Sequence, residues 1–219
     1  MLTIHGAPPS IHTRKVIVAV LEKDLEYRVD VVFPFDPPAG WKEISPTGKI
    51  PVLSDADFRL PDSSAIVAYL DRRFPERPLY PDGDRDYAHA LWLEEYADTN
   101  IAPHVIALFH EKILQPMLHG KQPDKALMDG LVRDELAPRL DYIDGLLQGE
   151  FLVGARFGIA DITIASSLTM YHYLGFGLDP TRHARLIEHF ERTRNRDSFR
   201  RALAAERPYV EKLGLVPHR

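Results

Sequence analysis

The hydrophobic positions change period twice along the chain. In LTIHG, Leu2 and Ile4 alternate with Thr3 and His5 before a Gly-Ala-Pro-Pro turn, which predicts a short strand. From 13 to 24 the period lengthens, and Val16, Ile17, Val20 and Leu21 fall on one helical face. Alternation returns over 27–33 (YRVDVVF), a second strand. PVLSD and DFRL flank Asp55-Ala56-Asp57 as a hairpin, and SAIVAYLDRRF is helical, with Asp62 or Ser63 as its cap. The order is β-α-β followed by β-β-α.

After Phe74 the pattern stops. PERPLYPDGDRD carries prolines and a glycine with little apolar content, which predicts a linker. Beyond Tyr87 every periodic segment is helical. One long helix bends or breaks near Pro103, a second covers 124–147, others start near Gly158 and Thr181, and a short one starts near Ser198. The domain boundaries expected are 1–78 for an α/β unit, 79–86 for the linker and 87–219 for an all-helical unit. Gly158 stands at a helix start with Asp161 three residues on, where the carboxylate can bond the cap backbone N–H.

Composition narrows the chemistry. At 219 residues the chain can bury an adequate core. A net charge of −5 gives no global attraction to nucleic acid or anionic membrane. The absence of cysteine excludes disulfides, thiolate metal sites and a protein thiol nucleophile, and it fits a reducing cytoplasm. The N-terminus has no signal-peptide pattern and no apolar run is long enough to span a bilayer, so no membrane association is expected. The histidines show no metal-ligand spacing; His104 and His110 would not share a helix face. Gly175-Phe-Gly177 reads as a loop rather than a phosphate cradle. The arginine-rich stretch ERTRNRDSFRRALAAER, interleaved with acids, reads as a solvated helix face, so no metal and no nucleic acid are expected.

Pro51 is the puzzle of the first unit, because it removes a backbone donor where a strand should start. An ordinary trans proline opening an edge strand is the commoner case, since cis X–Pro bonds are about 5–6% of the total. The order β-α-β, turn, Pro, hairpin resembles the thioredoxin-like fold, in which a cis-proline at this place holds the preceding backbone open to a peptide ligand. SPTGKIPVL, LPDSSAIVAYL and GIADITIA, in this order, resemble three segments of the cytosolic glutathione transferases. GAPPSIHTRKV and FHEKILQPMLHG are most similar to the phi class and its bacterial relatives.

That resemblance implies a thioredoxin-like α/β domain plus an all-α domain, glutathione as co-substrate, a small apolar electrophile as second substrate, and a homodimer pairing one subunit's first domain with the other's helices. Ser10, after a strand and before a helix, is either that helix's cap or, as the resemblance implies, the catalytic donor to the glutathione sulfur. A free thiol has a pKa of about 8.5, so a donor plus helix amides would raise the thiolate fraction. No Gly-x-Ser-x-Gly elbow surrounds Ser10, which disfavours a serine hydrolase. Tyr27 lies too far along the chain to be the donor; Thr13 is the reserve, with His5 and His12 as outsiders. The resemblance further implies glutathione contacts from Lys49, Ile50, Pro51, Asp62 and Ser63, with Lys42 a weaker candidate. Asp62 stands where the family has glutamate, one methylene longer, and Gly158 where it has Ser or Thr. Tyr96, Phe109, Met117 and Tyr171 are core residues first and pocket walls second.

Overall fold

The computed structural model describes residues 1–215. Four short strands form one sheet in the order β2-β1-β3-β4: β1 (Leu2–His5), β2 (Tyr27–Asp30), β3 (Val52–Asp55) and β4 (Phe58–Pro61). β1 runs parallel to β2, with Ile4 opposite Val29, and antiparallel to β3, with Ile4 opposite Leu53. β2 stops at Asp30, three residues short of the expected end, because β1 has ended and Gly6 N–H closes the ladder on Asp30 O at 3.0 Å. Gly6 is required there: a Cβ on it would lie 2.5 Å from Thr13 Oγ1.

Helices α1 (Ile11–Glu22) and α3 (Ser63–Arg73) belong to the first unit, with a single turn α2 (Trp41–Ile44) between β2 and β3. The sequence pattern did not reveal α2. Its Trp41 is buried in a satellite cluster with Ala7, Val32, Ile50 and Val52, and its indole N–H donates to Gly48 O at 3.1 Å. The Ile50–Pro51 bond is cis.

The helical unit comprises α4 (Asp84–Tyr96), α5 (Ala102–Phe109), α6 (Gln115–His119), α7 (Lys125–Gly130), α8 (Ala137–Leu146), α9 (Ile159–Tyr173), α10 (Ala184–Arg194) and α11 (Asp197–Lys212). The last helix is the longest, not the short one expected. The path from α4 to α6 does not break at Pro103. It widens to i→i+5 turns over Ala97–Ile101 and His110–Leu114, and again over Leu131–Leu136 before α8. Pro103, Pro116 and Pro138 each follow such a turn. A proline has no N–H for the carbonyl four residues back and its ring crowds that oxygen; a wider turn relieves both problems without ending the helix.

The expected linker is not a free connection. Leu79 and Tyr80 are buried, their backbone N–H groups donate to Asp71, and Leu79 O accepts from Ile159 N–H at 3.0 Å. This explains Gly158. A Cβ there would lie 2.6 Å from Leu79 O, so the hydroxyl cap of the family has no room. Asp161 supplies the other half of the cap, accepting from Gly158 N–H at 2.9 Å, from Leu152 N–H at 2.9 Å and from the buried His189 ring at 2.7 Å.

One core runs through both units. Its centre is the packing of α1 on α9, with α3 and α11 also against α1. Almost every residue of α9 is buried, as befits a helix with small and apolar residues all round. Between Thr13 and Leu21 α1 is buried all round as well, so Arg14 and Lys15 have no solvent face to occupy. Both are fully buried and both are paired. Arg14 donates to Glu206 at 2.9 Å, to Ser166 O at 2.7 Å and to Pro9 O at 2.9 Å, while Tyr173 OH also donates to Glu206. Burial pushes the Glu206 carboxyl up and Arg14 opposes that rise. Lys15 Nζ donates to Ser64 Oγ, Glu94 Oε1 and Asp98 Oδ2 at 2.9, 3.0 and 2.6 Å. No helix among the described residues is long and apolar enough to cross a membrane.

Candidate functional site

A cavity of about 320 Å³ opens between the sheet end of the first unit and helices of the second. From the first unit come Pro9, Ser10 and His12, the Phe33-Pro34-Phe35 loop, Lys49 and Ile50. From the second come Ile106, Phe109, Leu114, Met170 and Leu213. The first-unit wall is largely apolar too but carries the polar side chains of Ser10, His12 and Lys49, whereas the wall from the second unit is wholly apolar.

Ser10 caps α1. Its φ of −62° and ψ of 136° are extended, and its Oγ accepts from Thr13 N–H at a long 3.5 Å. Accepting uses an oxygen lone pair, so the hydroxyl proton stays available to a group in the cavity, beside the first amides of a three-turn helix. Two bonds fix the position: Ser10 N–H to Ala7 O at 2.9 Å, and the buried Arg14 guanidinium to Pro9 O at 2.9 Å. The cap and donor readings of Ser10 are thus geometrically compatible.

Lys49 and Ile50 lie on the same wall. Ser45 Oγ donates to Lys49 O at 2.7 Å and Trp41 holds Gly48 O, so the loop is braced from below. Among the described residues the Ile50 backbone forms no hydrogen bond. Pro51 is buried at the head of β3. Asp62 and Ser63 start α3 and are not in the cavity lining. Asp62 is held at φ 78°, an uncommon place for a residue with a Cβ, and its Oδ1 accepts from Ser64 and Ala65 N–H at 3.0 and 3.1 Å. Its other carboxylate oxygen is unbonded among the described residues. Lys42 points from α2, exposed and outside the lining.

The reserve and outsider residues change places. Thr13 is fully buried against Gly6 and does not face the cavity. His5 is engaged by Ser54 at 2.9 Å, and burial lowers its pKa against the pull of Asp30. His12, by contrast, lines the cavity next to Ser10 and sets its Nδ1 3.5 Å from Asp98 Oδ1. Burial works against the Asp98 charge, but His12 and Lys15 overcome it and hold the carboxyl down at about 2. Ser64 Oγ donates to the same carboxylate at 3.1 Å. Of the four aromatic and methionine candidates, Phe109 lines the cavity. Tyr171 is buried and stacks on Phe176, Met117 is exposed, and Tyr96 packs between Trp92 and Tyr142. The sequence pattern takes Phe33 as the end of the second strand and misses the Phe33-Pro34-Phe35 wall, since a proline-rich stretch shows no period.

Residues 4–78 match the family description "Glutathione S-transferase, N-terminal domain", and residues 105–197 match "Glutathione S-transferase, C-terminal domain". FtsZ-localized protein A of Caulobacter vibrioides is 29% identical over 180 residues, covering 79% of this chain and 78% of that protein. A glutathione S-transferase from Rhodospirillum rubrum superposes with a TM-score of 0.84 at 28% identity, over 93% of this chain and 92% of that one. One from Methylobacterium radiotolerans, solved in complex with glutathione sulfonate, does so with a TM-score of 0.78 at 25% identity, over 92% and 93%. With both domains matched in order across more than half its length, the chain belongs to the glutathione S-transferase family.

Proposed function

We propose that the protein conjugates glutathione to small apolar electrophiles. The observation that carries this reading is the shared cavity, in which Ser10, Lys49 and Ile50 stand on one wall and apolar side chains on the other. Glutathione lies along the wall that carries Ser10 and Lys49. The Ile50 backbone pairs with its cysteinyl part beside cis-Pro51, Lys49 meets the glycine carboxylate, and the γ-glutamyl end reaches beyond the cavity lining to Asp62 and Ser63 at the start of α3. Ser10 donates a hydrogen bond to the sulfur and, with the α1 amides, favours the thiolate. The thiolate then attacks an electrophilic carbon held against Phe109, Ile106 and Met170. The protein works as a cytoplasmic homodimer in detoxification, and no metal takes part.

The test is saturable conjugation of glutathione to an activated aryl halide, with Ser10→Ala lowering kcat/KM about a hundredfold, the scale for losing one donor to a developing anion. Wild-type rates in that variant would remove Ser10 from the mechanism. Isomerase, peroxidase or dehalogenase chemistry with glutathione would use the same wall, and a panel of electrophiles separates them. The relative named for FtsZ localization supports a second reading, a non-catalytic interaction protein on this scaffold. Retention on immobilised glutathione, released by free glutathione, favours the enzyme; clean flow-through favours the interaction protein.

A further inference from the structure

The transferase reading leaves one polar group on the cavity wall without a task. Ser10 can stabilise a thiolate, yet a serine hydroxyl with an ordinary pKa cannot carry away the thiol proton at neutral pH. His12 stands two residues further along the same helix start and lines the same cavity. Its Nδ1 lies 3.5 Å from Asp98 Oδ1, an ion-pair distance, that oxygen is buried with no hydrogen-bond partner, and among the described residues no hydrogen bond engages His12 Nε2. The other charged groups around it are accounted for. Lys15 is engaged by Glu94, Asp98 and Ser64, and Lys49 is the remaining cation on the wall.

The geometry points to His12 as the proton acceptor for the glutathione thiol, with Asp98 as the positioning residue that orients its ring. This rests on the transferase reading and deepens it. In the step, the S–H bond breaks, its proton moves to His12 Nε2, and the electron pair stays on sulfur as the thiolate bonded by Ser10. The imidazolium is matched by the Asp98 carboxylate, which is held anionic from behind by Lys15 and Ser64. The thiolate pair forms the S–C bond, halide departs with its own pair, and the imidazolium returns its proton to water. The arrangement of base, orienting carboxylate and cavity follows general acid–base logic, in which geometry comes first and the pKa second.

The experiment compares wild type with His12→Gln, His12→Ala and Asp98→Asn. Glutathione affinity is read by calorimetry, thiolate formation on the enzyme by ultraviolet absorbance against pH, and kcat/KM against pH with an aryl halide. The expected result is glutathione affinity within about twofold of wild type, with kcat/KM at neutral pH down about a hundredfold in the His12 variants. Thiolate formation shifts to higher pH, imidazole buffer restores part of the His12→Ala rate, and Asp98→Asn gives smaller changes of the same sign. His12 variants that bind glutathione and keep the wild-type thiolate titration and pH profile overturn the assignment while leaving the transferase reading intact. Lost affinity with an unchanged profile makes His12 a binding residue and also overturns it. A wild type that binds no glutathione sinks both readings together.

Discussion

Lys15→Met removes a charge that sits at zero side-chain exposure and touches three partners in both units. Methionine nearly fills the same volume, so the change isolates the charge from the packing. What remains is Glu94 at 1% side-chain exposure and Asp98 at 15%, two carboxylates without their shared cation. Breaking a buried pair by removing one partner costs about 3–5 kcal/mol at pH 7. For a chain of this size that is a fall in Tm of roughly 10 °C. The penalty depends on pH with a definite sign. Asp98 has its folded pKa depressed from 3.8 to about 2, so its contribution is present above the unfolded value and is lost as pH falls through about 2. That difference is worth about 2 kcal/mol, shared between His12 and Lys15. The gap between wild type and variant therefore narrows on acidification from pH 4 towards 2, by at most about that amount. Urea unfolding at pH 7 and at stepped lower pH measures both quantities. A gap under 1 kcal/mol at pH 7, or one that stays constant with pH, would mean that Lys15 does not hold these two carboxylates.

Two further substitutions test the backbone arguments. Gly158→Ala places a methyl 2.6 Å from Leu79 O and threatens the Ile159–Leu79 bond, so it should destabilise by about 1–3 kcal/mol, visible as a lower thermal midpoint. Ala56→Gly relieves an exposed residue at φ 53° in the β3–β4 turn and should stabilise by up to about 1 kcal/mol in urea titrations, because glycine carries no Cβ penalty there.

The strands, α1, α3 and the proline-bearing turn were legible because period 2, period 3.6 and turn residues are local signals. The wide turns were half legible: Pro103 announced a disturbance, but whether a helix breaks or widens depends on the packing that holds its far side. The cations of α1 were illegible. Periodicity marked Val16, Ile17, Val20 and Leu21 as its inner face, and only the presence of α9 and α11 on the other sides buries Arg14 and Lys15. The role of His12 is illegible for the same reason, since the carboxylate beside it arrives from the turn after α4. Asp62 and Ser63 were readable as a helix start, yet nothing local reveals that they stand outside the cavity lining.

The adjacent charges of α1 have a consequence for modularity. Arg14 finds its counter-charge on α11 and Lys15 finds its own on α4 and the turn that follows. Cut away after residue 78, the first unit would keep a complete sheet but expose to water the apolar face of α1 that α9 and α11 cover, with Arg14 and Lys15 parted from their acids. The unit that resembles a free-standing redox fold is thus not portable in this chain. Its independence has been exchanged for two ionic pegs, and the same pegs hold Pro9 beside Ser10 and Asp98 beside His12.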